Sequence, residues 1–283
     1  IGRKENNIVI IAPLDDSPAQ KAGLRAQDIV VAINSESTVD MQPDEAVSKI
    51  RGQEGTEVTL TIVREGETAP FDVKIVRQKI ELKSVELEYK EVQGKRVAVL
   101  TLSRFGDDTQ DLFSQAIADI VKAKPAGLVI DVRNNPGGYL ETSVDVASQW
   151  LEKGKLVVKE QHSTKNEVLY NSEGYNRLGN FKTVVLINGG SASASEILAG
   201  ALRDNGKAVL IGDKSFGKGS VQELVPLGKD MAIKVTVANW ITPSGKNLDH
   251  DGLEPDIKVK LTPEDIEAER DPQLDRALAE VIK

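Results

Sequence analysis

The sequence has no cysteine and only two histidines, His162 and His250, in 283 residues. The first absence excludes disulfides, cysteine nucleophiles and thiolate metal sites, and it leaves the redox compartment undefined. Two histidines without an H-E-x-x-H pattern give no basis for a zinc peptidase. Any Ser-His-Asp triad would have to use one of the two. His162 stands in KEQHSTKNE, a polar stretch that reads as solvated, and His250 in NLDHDG, a turn flanked by acids. Neither reads as a base. A concentrated block of Lys and Arg is missing too, and the net charge is −8. Nucleic-acid binding needs a basic surface to displace counterions, so it is set aside. No apolar run approaches the ~20 residues of a membrane span. There is no internal repeat, no low-complexity stretch and no signal peptide. The start at Ile1, inside a strand pattern, implies that the native chain begins earlier, so the missing signal says little about its address.

What is present is ordinary globular material, 40% hydrophobic and 28% charged. That is enough for one large domain or two smaller ones. Up to about Arg77 the pattern is of short β-strands (Asn7–Pro13, Asp28–Asn34, Thr56–Arg64, Ala69–Arg77) with two short helices. Ser17 and Pro18 read as N-cap and first position of one helix, which Gly23 ends. Pro43–Ile50 has helical spacing, with Ala46, Val47 and Ile50 on one face. From Gln78 onward, strands such as Val97–Leu102 and Gly127–Val132 alternate with helices at Gln110–Lys122, Thr142–Leu151 and Asp271–Lys283. That alternation predicts an α/β domain with a buried sheet. Two domains are therefore expected, over residues 1–78 and 79–283.

In the first of these, SPAQKAGLRAQDIVVAINSE followed by the helix at Pro43 resembles the PDZ domains of bacterial proteases. Such modules add a peptide as an extra strand and hold its terminal carboxylate in a backbone nest. The resemblance implies an incomplete module here, because the carboxylate-holding loop precedes the Asn7–Pro13 strand in the family and almost nothing precedes it in this chain.

In the second, VVLINGGSASASEILAGALRDNG runs from a buried strand through Gly189–Gly190 into a helix. Ser193 and Glu196 fit a capping box, Ile197, Leu198, Ala201 and Leu202 form the buried stripe, and Asn205–Gly206 ends the helix. A serine there either caps the helix or attacks a substrate, with unpaired helix amides supporting an oxyanion. The neighbourhood favours attack: small alanines, a glycine pair, and downstream the segment GDKSFGKGSVQE, in which Lys218 lies between two glycines.

With SASASEI followed by FGKG and then Gln222, the chain resembles the tail-specific, or carboxyl-terminal processing, protease family of PDZ-linked serine peptidases. The resemblance covers nearly the whole chain and extends to GLVIDVRNNPGG and to the stretch around Trp240–Ile257. It implies Ser193 as nucleophile, Lys218 as its base and Gln222 as the group that orients the lysine. It also implies an oxyanion hole formed by the amides of Gly138 and Ala194. An offset of four residues is expected to put Lys218 and Gln222 on one face. The implied fold is an α+β PDZ domain followed by an α/β protease domain of the ClpP/crotonase kind.

The chemistry is coherent. Serine needs a base to attack an amide, and a lysine with a free value near ~10.4 becomes one when burial lowers it by up to ~3–5 units. A buried Lys218 is therefore expected, beside a neutral glutamine rather than a carboxylate. Asp204, which matches an acidic position in some members, reads as support for the helix end. No cofactor and no metal are implied. The expected partners are protein or peptide substrates held by their C-terminus. The resemblance also implies a homo-oligomer, is compatible with an adaptor or lipoprotein tether, and points to an exported, periplasmic or cell-surface protein. The rival readings are a non-catalytic PDZ scaffold on a protease-like body and a trypsin-like PDZ protease. The second would need GDSGG, which is absent.

Overall fold

The structure is a computed structural model that describes all residues except 5–6, 11–12, 14–16, 26–27, 80–82, 163–165, 227–231, 250, 263 and 266–267. His250, and residues 11 and 12 of the first expected strand, lie outside the described residues. The chain divides into two compact units, Ile1–Leu82 and Lys83–Lys283.

Unit 1 is a sheet of β1 (Gly2–Lys4), β2 (Asn7–Val9), β3 (Ile29–Ile33), β4 (Glu36–Ser37), β5 (Glu57–Val63) and β6 (Phe71–Val76), with helices α1 (Pro18–Lys21) and α2 (Pro43–Ile50). The order is β1-β2-β3-β5-β6, with β4 also on β3, and every pair is antiparallel. Alternation in EVTLTIV turns Val58, Leu60 and Ile62 inward, at 2%, 1% and 0% exposure. That period of two is what makes this segment a half-buried strand. Ser17 Oγ accepts from Gln20 N–H and Pro18 opens α1, as expected; Gly23, at φ 84°, follows it.

Asp28 has a structural task. Buried Asp28 takes two bonds from Arg64, Nε to Oδ1 and Nη2 to Oδ2, both 2.7 Å. It takes a third from Arg25 N–H at 2.7 Å, and Arg64 Nη2 also reaches Gly23 O. The Ala-Gly-Leu turn is thereby tied to the end of β5. Burial alone would raise the Asp28 carboxyl, but the Arg64 and Arg25 bonds and charges outweigh it and hold the group below its ordinary value.

Unit 2 carries β7 (Val85–Val92), β8 (Lys95–Leu102), β9 (Gly127–Asp131), β10 (Leu156–His162), β11 (Glu167–Asn171), β12 (Thr183–Ile187), β13 (Ala208–Gly212), β14 (Ser220–Pro226), β15 (Ala232–Ile241) and β16 (Ile257–Lys258). Its helices are α3 (Thr109–Ala123), α4 (Leu140–Ala147), α5 (Ala194–Asp204) and α6 (Pro272–Val281). One sheet has the order β16-β13-β12-β9-β8-β7, parallel except for the antiparallel edge strand β7. A second, four-stranded sheet has the order β11-β10-β15-β14.

The parallel strands are apolar on both faces because both are covered. Val97, Val99, Val129 and Val184 pack with Ala277, Leu278 and Val281 of α6. Ala98, Leu100, Leu128, Ile130 and Val185 face the core shared with α3, α4 and α5. The expected single stripe on α5 is an underestimate. Every residue from Ala194 to Leu202 is buried, because α5 packs against β13 of one sheet and β10 of the other. The helix expected to reach Leu151 stops at Ala147. Ser148 Oγ donates back to Val144 O while accepting from Glu173 N–H, and Trp150 Nε1 turns away to Thr183 Oγ1. Tertiary partners thus take over where the periodicity would have continued. Among the described residues no helix is long and apolar enough to cross a membrane.

Replacing Asp28 with Asn removes a charge that Arg64 faces at a nearly dry site. The expected local cost is about 2–3 kcal/mol, read as amide exchange in β3 and β5 quickened ~30–100-fold at neutral pH. Because the carboxyl is depressed when folded, its contribution is complete above the ordinary aspartate value of ~3.9 and is lost as pH falls through the folded value. Parent and variant should therefore converge in strong acid. Equal exchange at neutral pH would remove this role from the pair.

Candidate active site

Strands β9, β12 and β13 lie side by side and run parallel, in register Leu186↔Asp131 and Ile187↔Gly212. Their carboxyl ends release three adjacent loops: Val132–Tyr139, Asn188–Ser193 and Asp213–Gly219. Ligand sites of open α/β sheets form at such ends. The three segments singled out in the sequence are therefore neighbours by topology, and they are then stitched together. Asn134 N–H donates to Asn188 Oδ1 and Asn188 Nδ2 returns to Asn134 Oδ1, both 2.9 Å. Ser191 Oγ donates to Val132 O. Ala192 N–H and Ser195 Oγ both donate to Asn135 O at 3.0 Å. Phe216 N–H donates to Ser191 O.

Ser193 opens α5 with φ 55° and ψ −116°. A non-glycine residue in such a region costs about 1–3 kcal/mol, and it persists only where its surroundings over-determine it. Those surroundings are visible. Ser193 N–H donates to Glu196 Oε2 at 2.8 Å, the glutamate half of the expected capping box. Glu196, fully buried, also accepts from Lys218 N–H on Oε2 at 3.0 Å and from Gly217 N–H on Oε1 at 2.8 Å. Ser215 Oγ donates to Oε1 as well. One carboxylate oxygen therefore serves both Ser193 and Lys218, which keeps their backbone nitrogens within about 6 Å of each other.

The Arg133–Gly138 loop closes on the same point. A Cβ added to Gly137 would stand 2.9 Å from Ser193 Cβ and 3.0 Å from Ala194 N, and its φ is 101°. Only glycine fits that approach. Gly137 N–H is held by Asn135 Oδ1 and Gly137 O by Phe105 N–H. Among the described residues, the amides of Gly138 and Ala194 donate to no protein group. Behind the loop Arg133 is nearly buried. Its Nη2 meets Asp131 Oδ2 at 2.6 Å and Asp271 Oδ2 at 2.7 Å, and its Nη1 meets Asp271 Oδ1 and Gln273 Oε1. Burial works against the Arg133 cation, and the bonds and charges of Asp131 and Asp271 outweigh that and raise its value. Burial would raise Asp271, but Arg133 and the Leu274 amide hold it below the ordinary range.

One expectation about the lysine does not hold. The Lys218 side chain is exposed, since only its backbone is drawn in by Glu196, while neighbouring Phe216 is itself 65% exposed. Lys218 precedes β14, which holds Gln222, and the ladder of β14 to β15 slips between Val221 and Gln222, the extra residue being Val237 of β15. Gln222 is exposed, and among the described residues neither side chain bonds to the other. His162 sits in strand β10, with Nε2 3.1 Å from Glu160 Oε1, and not in a loose polar loop. Asp204 Oδ2 accepts from Ser244 N–H at 3.0 Å and Ser244 Oγ at 2.7 Å, and Oδ1 accepts from Arg203 Nε at 3.0 Å. It fastens the TPSG turn to the end of α5. Burial would raise its carboxyl, but bonds from Thr242, Ser244 and Arg203 lower it.

Sequence reasoning missed Glu196 beyond its capping role, and it missed Ser215, Asn135 and Arg133. Only Glu196 had a signal, its spacing from Ser193. Its other partners lie 19 to 22 residues on and leave no mark at short range. Among the described residues no cluster of three or more His, Asp or Glu is placed to hold a metal ion.

The model of peptidase family S41 matches residues 96–259, more than half of the chain and all three loops. The chain belongs to that family. A PDZ domain model matches residues 9–64, so an S41 peptidase domain follows a PDZ domain here. Among S41 relatives, carboxy-terminal processing protease CtpB of Bacillus subtilis is 38% identical over 260 residues, which are 92% of this chain and 54% of that protein. A carboxy-terminal-processing protease of Bartonella bacilliformis is 40% identical over 261 residues, 90% of this chain and 59% of that protein. The chain thus spans little more than half of these relatives. The structure of the photosystem II D1 C-terminal processing protease matches with a TM-score of 0.67 at 28% identity, over 99% of this chain and 74% of that one.

In the PDZ unit, a cavity of about 500 Å³ is lined by Ile1, Ile10, Leu24, Val47, Ile50 and Leu60, among others. Ile1 of this lining directly precedes β1, an edge strand of the sheet.

In the S41 domain, Gly137→Ala forces a Cβ into Ser193 and Ala194 at a left-handed φ. The expected effect is a loss of about 2–4 kcal/mol of stability, or a shift of the 133–138 loop that relieves it. Thermal unfolding together with a structure of the variant checks both. An unshifted loop at parental stability would contradict the contact.

Proposed function

We propose that this chain is the PDZ and protease portion of a serine endopeptidase that hydrolyses peptide bonds near the C-terminus of protein substrates. In this reading residues 1–78 hold the substrate's C-terminal residues and residues 79–283 perform the cleavage. Ser193 Oγ attacks the scissile carbonyl carbon while its proton passes to Lys218 Nζ, and the oxyanion is met by the amides of Gly138 and Ala194. The C–N bond then breaks, the leaving amine takes the proton, and water releases the acyl group from Ser193. Gln222 orients Lys218 in the loaded site. The observation that carries the reading is the shared Glu196 oxygen, which ties the backbone of Ser193 to that of Lys218. The strained φ of Ser193 and the two unpaired amides support it further.

Because Lys218 is exposed here, the mechanism requires bound substrate to exclude water around it, as closing sites do. In the PDZ unit, edge strand β1 and the apolar cavity that Ile1 helps to line suit a strand-added peptide with an apolar end. That the relatives are carboxy-terminal processing proteases supports the substrate class. By the same resemblance we infer export to the periplasm or cell surface, action as a homo-oligomer, and compatibility with an adaptor or lipoprotein tether.

Ser193→Ala and Lys218→Ala should each abolish cleavage of a fluorogenic peptide with a free C-terminus and leave the circular dichroism spectrum unchanged. Members of one catalytic unit cost about as much singly as together. A fluorophosphonate should label Ser193, which a non-catalytic scaffold would not allow. Cleavage above about a tenth of the parental rate in Lys218→Ala would overturn the lysine as base.

A further inference from the structure

We propose that Glu196 is the positioning residue of this site, the buried carboxylate that sets the distance between nucleophile and base. The proposal rests on the Ser193–Lys218 reading and adds to it the group that fixes their geometry. A glutamate that only completes a capping box bonds one amide, that of the N-cap residue. Glu196 has four donors, and three of them come from the segment that carries Lys218: Ser215 Oγ, Gly217 N–H and Lys218 N–H. It is fully buried, and among the described residues no Lys, Arg or His side chain pairs with it. Its charge is met by backbone amides, one hydroxyl and the amino end of α5, where a negative charge is favoured.

An unpaired buried charge is expensive, so such an arrangement needs every donor in place. Two carboxylate oxygens accommodate four donors, whereas an amide offers one oxygen and turns an N–H₂ group toward the rest. With an amide at position 196, Ser215 Oγ could turn to accept from it, but the facing backbone N–H groups could not. Either orientation therefore leaves an amide of Ser193, Gly217 or Lys218 without its acceptor.

The consequence falls on reaction geometry. Lys218 has a long, exposed side chain, so the reach of its Nζ toward Ser193 Oγ is set by where its backbone is anchored. That anchor is the oxygen that also holds Ser193 N–H. Gly219 leaves the loop no slack, since a Cβ there would lie within 2.5 Å of the 248–249 backbone. Misplacement by about 1 Å at a reacting pair costs on the order of 10²-fold in rate.

The test is a double-mutant cycle on the full chain, with the parent, Glu196→Gln, Lys218→Ala and the double variant. It reads kcat and KM on a fluorogenic peptide, and the second-order rate of fluorophosphonate labelling at Ser193 where turnover is too slow. Glu196→Gln should lower kcat on the order of 10²-fold and change KM less than about threefold. The double variant should be no slower than Lys218→Ala within about threefold, because the glutamate acts through the lysine. Losses that multiply, or a Glu196→Gln variant with more than about a third of parental kcat, would overturn the proposal. If Glu196→Gln does not fold, Ser215→Ala keeps the carboxylate and removes one donor. Its kcat should fall by about tenfold with the same coupling to Lys218, and an unchanged kcat overturns the proposal. A Lys218→Ala variant with parental activity would be a different failure, overturning the lysine reading itself.

Discussion

The carboxylate of Glu196 is the constraint on which the rest of the site depends. A parallel sheet brings neighbouring strand ends to within ~5 Å of each other, but the loops that leave them are free to diverge. The buried anion removes that freedom. It draws in amides from both sides of the cleft, because each N–H it fails to recruit would leave negative charge uncompensated in a dry interior. The sheet supplies neighbourhood, and the carboxylate supplies the offset. Around it the Asn134–Asn188 exchange, Ser191 and Asn135 join the remaining loop pair by neutral bonds.

Strain is concentrated where this network is densest. Ser193 and Gly137 both hold positive φ and touch each other. The elements that bear them start from strands of near-zero exposure. Rigid strands beneath and polar ties across the top are what allow an unfavourable backbone angle to persist.

Much of the fold was legible because its causes are local. A run such as TVVLI, short, rich in β-branched residues and followed by a glycine pair, reads as a doubly covered strand, and EVTLTIV alternates as a half-buried one should. The end of α4 was not legible, because Ser148 and Trp150 answer to residues 25 to 33 positions away. The site divides along the same line. Ser193, the glycine loop and Lys218 announce themselves by unusual residues at fixed spacing. The Glu196 bonds to the lysine loop, and the grip of Asp271 on Arg133, depend on the closed sheet. The exposure of Lys218 follows from an anchor that holds main chain and not side chain.

The contact between Arg133 and Asp271 spans 138 positions. Domains on the ribosome take shape from the amino end first. A nascent chain that has passed Ser193 and Lys218 but has not reached Asp271 already contains both of those side chains, yet its Arg133 has only Asp131 and lacks Asp271 and Gln273. The 133–138 loop is then held from one side only. The synthetic order of this chain thus places the tie that steadies the 133–138 loop after the strands and loops it joins, so that loop gains its last support late in translation.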